Sequence, residues 1–279
     1  MKPTIKITVL MDNQVRKPGF LAEQGLSLLV RTPELKILFD VGQTNAFLHN
    51  SRRLGVDLAE LDLMALSHGH YDHVGGLPDL LEETGELAIY AHPQILDRRY
   101  AQDANKAGLR DLGLTWEKEE IESKGAKFYF NTKPTYLTDN IFLTGEIPRA
   151  SQQDLEGENF VKLQGSQVIR DPLLDDQALV VKSNLGWVII LGCSHAGVLN
   201  TLTYIVELLK GEKIHAVIGG MHLIQATKAR ISKTINGLQE LGIEKVVPLH
   251  CTGFRACMEI ALQMGKAFTL AEVGSVLEF

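Results

Sequence analysis

The chain reads as one α/β domain with sheets inside and helices outside, and three observations lead there. The first third is a run of short β-branched or apolar segments punctuated by Pro33 and Gly42, as expected of strands. The last third alternates helical and extended patterns, as in β/α units. No Pro/Gly/Ser-rich linker separates the two parts, and no repeat of about 20–50 residues suggests a solenoid.

In chain order, Thr4 to Leu10, Leu26 to Arg31 and Lys36 to Phe39 are expected as strands. A helix is expected over Ala46 to Leu54, and Leu63 to Leu66 reads as a buried strand. Leu77 to Glu83 has a helical pattern, and Ala88 to Ala91 an extended one that ends at His92. From Pro93 to about Pro134 the chain is polar and mixed, with Arg98, Arg99 and Trp116 as its distinctive residues. This stretch is expected to be an insertion or lid, at about residues 93–135, on a single domain spanning 1–279. Ile141 to Thr144 is the next strand, and Ala178 to Ser183 and Trp187 to Leu191 form a hairpin across Asn184-Leu185-Gly186. Helices over Val198 to Lys210, Lys228 to Leu241 and Phe254 to Met264 then alternate with strands Ala216 to Ile218 and Lys245 to Pro248. Val273 to Leu277 is expected as a last strand.

Composition bounds the function classes. With 279 residues, 45% apolar and 22% charged, the chain can bury a sizeable core and is not expected to be disordered. A net charge of −6 argues against a nucleic-acid-binding face. No stretch approaches the ~20 apolar residues of a membrane span. The opening MKPTIKITVLMDN alternates like a strand and lacks a secretory apolar region. Cys193, Cys251 and Cys257 are too few and too scattered for a disulfide framework, so a reducing cytoplasm is expected. The expected partner is a small-molecule substrate, with neither nucleic acid nor membrane.

The densest chemistry lies in ALSHGHYDHVGG, residues 65–76, which holds three of the nine histidines. Zinc and similar ions take neutral imidazole nitrogen and carboxylate oxygen at about 2.0–2.2 Å. His68 and His70, two apart on a tight loop after a strand, can converge on one ion, while Asp72 and His73 are placed to serve a second. The competing reading is a surface turn with incidental histidines. Four potential ligands in six residues at the end of an apolar strand favour the metal site.

His-x-His-x-Asp-His with these flanks resembles the signature loop of the metallo-β-lactamase superfamily, and the resemblance extends over nearly the whole chain. It implies a four-layer αβ/βα sandwich. It also implies that Asp40 in KILFDVG orients the histidine loop from behind, and that His250 in KVVPLHCTG ligates a second metal. GWVIILGCSHAG resembles the segment that usually ends in a metal-bridging aspartate; Cys193 stands at that position and His195 follows two residues later. No segment upstream matches the usual mid-chain histidine; Asp175 and Asp176 are the nearest candidates there, His195 can replace the missing nitrogen ligand, and Cys193 is either a zinc ligand or a buried apolar cysteine. Together, TGEIPR, DDQ, GCSHAG and GGMHL resemble the branch of metal-dependent hydrolases that includes an archaeal dihydropteroate-synthase-like enzyme of the methanopterin pathway.

The resemblance implies one or two divalent transition-metal ions, zinc foremost, with manganese or iron as alternatives. Such an ion lowers the pKa of bound water to about 7. The expected enzyme is a metal-dependent hydrolase of small anionic or phosphorylated substrates, with Asp72 as both ligand and catalytic residue. A pterin-type synthase that displaces diphosphate is one alternative, and a metabolite sensor with a retained metal site is another. Three further residues are candidates for supporting or substrate-binding roles. His222 follows a strand and two glycines, Asp176 is a pocket acceptor in LLDDQALVV, and Arg149 offers a planar fork for phosphate or carboxylate, or else a surface salt bridge. His92 is expected to be structural, and His49 and His215 carry no supporting context.

Overall fold

The computed structural model describes residues 5–102, 108–151 and 159–279. Its central strands are apolar on both faces, and the side-chain period of two sorts each strand between two environments. In Lys6–Met11, Ile7 and Val9 face a second sheet while Leu10 faces helices. Ser27–Arg31 does the same with Leu28 and Val30 inward and Leu29 outward, and Lys36–Phe39 with Ile37 and Phe39 inward and Leu38 outward.

A seven-stranded sheet runs in the order Val276–Glu278, Lys6–Met11, Ser27–Arg31, Lys36–Phe39, Leu63–Ala65, Leu87–Ala91, Ala126–Phe130. A six-stranded sheet runs Lys245–Leu249, Ile214–Gly220, Gly186–Leu191, Leu179–Ser183, Ile141–Leu143, Thr135–Thr138. The strands on one side of each sheet pair in parallel, because a helix covers each crossover. Helices Ala46–Arg53, Leu77–Thr84 and Lys118–Ser123 follow strands of the first sheet, and Ala46, Phe47, Leu77, Leu80 and Ile121 pack on its outer face. Val198–Leu208, Lys228–Glu240 and Phe254–Met264 do the same for the second, through Leu202, Ile205, Ile231, Ile235 and Ile260. The inner faces meet in one core, where Ile7, Leu28 and Phe39 pack with Leu179, Val188 and Ile218. The result is the expected four-layer αβ/βα sandwich.

Residues 93–135 do not form one unit. Lys118–Ser123 and Ala126–Phe130 extend the first sheet as a further parallel β/α step. Arg99–Gln102 and Leu109–Asp111 instead join Phe160–Gln164 and Gln167–Arg170 in a separate four-stranded sheet over one end of the sandwich. That small sheet is tied down by Arg99, a buried arginine between Asp171 and Asp175. Among the described residues no helix is long and apolar enough to cross a membrane.

Candidate metal centre

Parallel strands deliver loops at their carboxyl ends, and here both sheets deliver them to the same end of the sandwich. Leu63–Ala65 runs into the histidine loop, whose second half is the short helix Tyr71–Val74. Lys36–Phe39 ends at Asp40, which is fully buried with φ 58°. Across from them, Gly186–Leu191 leads to Cys193 and His195, Ile214–Gly220 to His222, and Lys245–Leu249 to His250 and Cys251. Ser194, His222 and His250 all adopt positive φ, a costly choice for non-glycine residues that turns the chain sharply at each strand end. Gly192 has no side chain for a packing reason: a Cβ there would collide with Ser67 Oγ, so the Cys193 turn approaches the histidine loop this closely only with glycine.

The ring orientations are set from behind. His73 Nδ1 donates to Asp40 Oδ2 at 2.7 Å. Ser67 Oγ gives its only proton to the same oxygen at 2.6 Å, so it can only accept from His68 Nδ1, 2.9 Å away. His250 Nδ1 donates to Asn13 Oδ1 at 2.7 Å, and the His250 backbone N–H donates to Asp12 Oδ1 at 2.7 Å. Each of these rings therefore turns its Nε2 inward, the arrangement by which supporting groups prepare metal-ligating histidines. The inward nitrogens converge: His73 Nε2 lies 3.2 Å from His250 Nε2 and 3.1 Å from Cys193 Sγ, and His68 Nε2 lies 3.1 Å from His70 Nδ1. His70 Nε2 is buried and has no hydrogen-bond partner.

Lone pairs that face one another across about 3 Å repel unless a cation or a proton lies between them. Protons are disfavoured at most of these rings. Burial, then the neighbouring imidazoles, hold His68, His70 and His195 well below the ordinary imidazole range. Burial and His73 bring His250 down to about 3. His73 goes the other way: burial pulls it down, but Asp40 and Asp72 raise it to about 9. The site thus keeps four imidazoles neutral while drawing positive charge to the fifth, and its donors fit a divalent ion.

Five overlapping donor groups share this space among the described residues, each with ligand atoms within 4.8 Å of one another, and three of them make up the centre. They are His68, His70 and His195; Asp72, His73 and His250; and, between them, Cys193 with His68 and His73. Six residues named from the sequence as ligands are therefore brought together, and Cys193 joins them instead of competing with His195. Asp72 Oδ2 accepts from Gln24 Nε2 at 3.3 Å and faces His250 Nε2 at 3.5 Å.

The supporting candidates divide. Asp176 Oδ2 accepts from Ala196 N at 2.7 Å, which holds the Cys193–His195 turn, and burial lifts its pKa to about 7. The His222 ring stands 4.4 Å from that of His195, at the mouth of the site. Arg149 is not brought to the pocket: its guanidinium donates to the carbonyls of Leu173 at 2.5 Å and Ile147 at 3.3 Å. His92 pairs with Glu146 at 3.0 Å, away from the centre.

Asp175, named from the sequence beside Asp176 as a ligand candidate, accepts from Gly69 N at 2.7 Å and from Arg99, which couples the histidine loop to the small sheet; Phe160, Arg110 and Cys251 escaped the sequence reading. That sheet closes the site into a pocket of about 430 Å³ and supplies Phe160 and Arg110 to its lining. Phe160 lies 5.1 Å from the His70 ring and 5.0 Å from that of His195. Cys251 also lines the pocket; against the effect of burial, hydrogen bonds from Cys193 and His222 lower its thiol pKa, while burial raises that of Cys193. None of Phe160, Arg110 and Cys251 carries a local signal, since each acquires its position only through strand pairing.

The comparisons agree with this geometry. Over 99% of its length the chain is 32% identical to a Methanocaldococcus jannaschii protein named 7,8-dihydropterin-6-methyl-4-(β-D-ribofuranosyl)-aminobenzene-5′-phosphate synthase, 97% of which is covered. A solved structure of Tm1679, described as a metal-dependent hydrolase of the β-lactamase superfamily, superposes with a TM-score of 0.86 at 33% identity, over 99% of each chain. A diphosphatase of the PhnP family shares the fold, with a TM-score of 0.54 at 13% identity, over 99% of this chain and 98% of that one. Residues 21–158 match the model of the metallo-β-lactamase superfamily. The family match spans the histidine loop and Asp40, and with the likeness over 99% of the chain to these relatives, the chain belongs to the metallo-β-lactamase superfamily.

Proposed function

We propose that the protein is a metal-dependent enzyme, hydrolytic in character, that acts on a small phosphorylated substrate. One or two divalent transition-metal ions, zinc foremost, would be held by His68, His70 and His195 on one flank and by Asp72, His73 and His250 on the other. Cys193 stands between them. The observation that carries this reading is the convergence of these six side chains in two groups of three, with the ligand atoms of each group within 4.8 Å of one another. Bound metal would supply Lewis acidity and a water that ionises near neutral pH.

The chain's own residues do the rest. Asp72, anchored through Gln24, holds a proton beside His250 as the reacting oxygen approaches. Arg110, within hydrogen-bonding reach of Tyr71 at the pocket wall, meets the substrate's anionic group, the role the sequence assigned to Arg149. Phe160 and the small sheet exclude water from one side.

A second reading, a synthase that displaces a phosphate or diphosphate, draws on the name of the M. jannaschii relative and on Phe160, whose ring offers a stacking face to a planar heterocycle. A cytoplasmic setting, where thiols stay reduced, belongs to both readings. The test is turnover of phosphoesters, diphosphates, thioesters and lactams by the metal-loaded protein. Hydrolysis of a phosphorylated substrate supports the first reading. Product formed only with a second, aromatic co-substrate supports the synthase. Ligand-dependent stabilisation without any product would make the protein a sensor and overturn both.

A further inference from the structure

Three adjacent parallel strands of the six-stranded sheet each place a metal-binding side chain two residues beyond their last residue. Gly186–Leu191 is followed by Cys193, Ile214–Gly220 by His222, and Lys245–Leu249 by Cys251. The register brings these positions together: Leu191 pairs with Gly219 and Gly220 with Leu249, which sets His222 level with Cys251 and one residue past the level of Cys193, and Gly220 N donates to Gly192 O at 3.0 Å. Neighbouring strands lie about 4.8 Å apart, so positions just past their ends come within reach of one ion.

The side chains converge accordingly. The donor atoms of Cys193, His250 and Cys251 lie within 4.8 Å of one another, as do those of Cys193, His195 and His222. Cys251 Sγ donates to Cys193 O at 3.6 Å and accepts from His222 N at 3.3 Å. Gly220 leaves room for the sulfur, since a Cβ there would stand 2.6 Å from Cys251 Sγ. The two-flank centre proposed above uses neither Cys251 nor His222.

We infer that Cys193, His222 and Cys251, with His250 as fourth donor, form a third, sulfur-rich metal position beside that centre, selective for a thiophilic divalent ion such as zinc or cadmium. Two thiolates and two imidazoles are a donor set that zinc takes in tetrahedral geometry, whereas magnesium and manganese favour oxygen. On binding, each thiol releases its proton to solvent as its sulfur–metal bond forms. Because Cys193 and His250 are shared, filling this position withdraws them from the two-flank centre. Excess zinc therefore inhibits the enzyme.

The experiment is a cadmium titration of the full-length, zinc-loaded protein, followed by the ultraviolet sulfur-to-cadmium charge-transfer band and by elemental analysis. The wild type takes up one cadmium more per chain than Cys251→Ala does. In that variant the saturated band falls by about half, because one thiolate remains of two. Cys251→Ser, which keeps the side-chain volume, gives the same loss if the alanine variant folds poorly, as checked by near-ultraviolet circular dichroism. His222→Ala weakens uptake of the extra cadmium by at least about tenfold. Wild-type band amplitude and uptake in a folded Cys251 variant would overturn the third position. The zinc retained by that variant at His68 and His70 is measured in the same samples, so loss of the main centre is distinguished from failure of this one.

Discussion

The metal centre draws on two sources that are built in opposite ways. His68, His70, Asp72 and His73 come from six consecutive residues, and a single loop brings them together. Cys193, His195 and His250, like the neighbouring His222 and Cys251, come from three separate strand ends, assembled by strand pairing. The loop is local geometry held by one buried carboxylate; the strand-end set depends on the register of a whole sheet. Each is fragile in its own way. A single substitution can disarm the loop, whereas the strand-end flank shares its load among several donors.

Variants can break or sharpen that contrast. The largest effect is expected from His68→Ala with His70→Ala, which empties the loop side. The native protein should carry at least one transition-metal ion per chain by elemental analysis, and the double variant should lose one and with it nearly all turnover. A native content below about a tenth of an ion per chain after reconstitution would sink the metal centre altogether.

Next comes the support behind the loop. Asp40 accepts hydrogen bonds from both Ser67 and His73, and Ser67 in turn holds His68, so Asp40→Ala frees two rings at once. It should weaken metal binding by about 10–100-fold, measured by chelator competition. An unchanged affinity would mean that the loop holds its own geometry without the aspartate.

The strand-end flank should show graded losses. His195 groups only with His68 and His70 in the two-flank centre, whereas Cys193 groups with His68 and His73, one from each side. His195→Ala should then deplete one ion selectively, while Cys193→Ser should lower affinity for both, each by about tenfold or more. Selective loss in Cys193→Ser would confine the sulfur to one side.

The smallest effect concerns the substrate. Arg110 is solvent-facing at the pocket wall, so its contact with an anionic group is partly screened. Arg110→Ala should raise KM for the best phosphorylated substrate roughly tenfold and leave metal content unchanged. Arg149→Ala, which removes a guanidinium bound to backbone carbonyls, should leave KM unchanged. The reverse order would return the anion contact to Arg149.

The same division separates what sequence alone settled from what needed the tertiary structure. Lys36–Phe39 and Phe254–Met264 were legible residue for residue, because apolar periodicity and glycine or proline boundaries are local signals. The histidine loop was legible because its ligands are contiguous. Asp40 and His250 followed from the resemblance of their flanking motifs. Phe160–Gln164 and Gln167–Arg170 were missed, since short, half-exposed strands carry weak apolar alternation and their hairpin is anchored only by pairing with distant Arg99–Gln102. Arg99 stood out in the sequence only as a distinctive residue of a polar stretch; its burial between Asp171 and Asp175 is a tertiary fact. Arg149, expected to meet an anion or else a surface salt bridge, instead donates to the Leu173 and Ile147 carbonyls, because the chemistry of a guanidinium is local but its address is not. Cys251 and His222 became neighbours of Cys193 only through the register of three parallel strands, a long-range pairing that residue type and spacing do not encode.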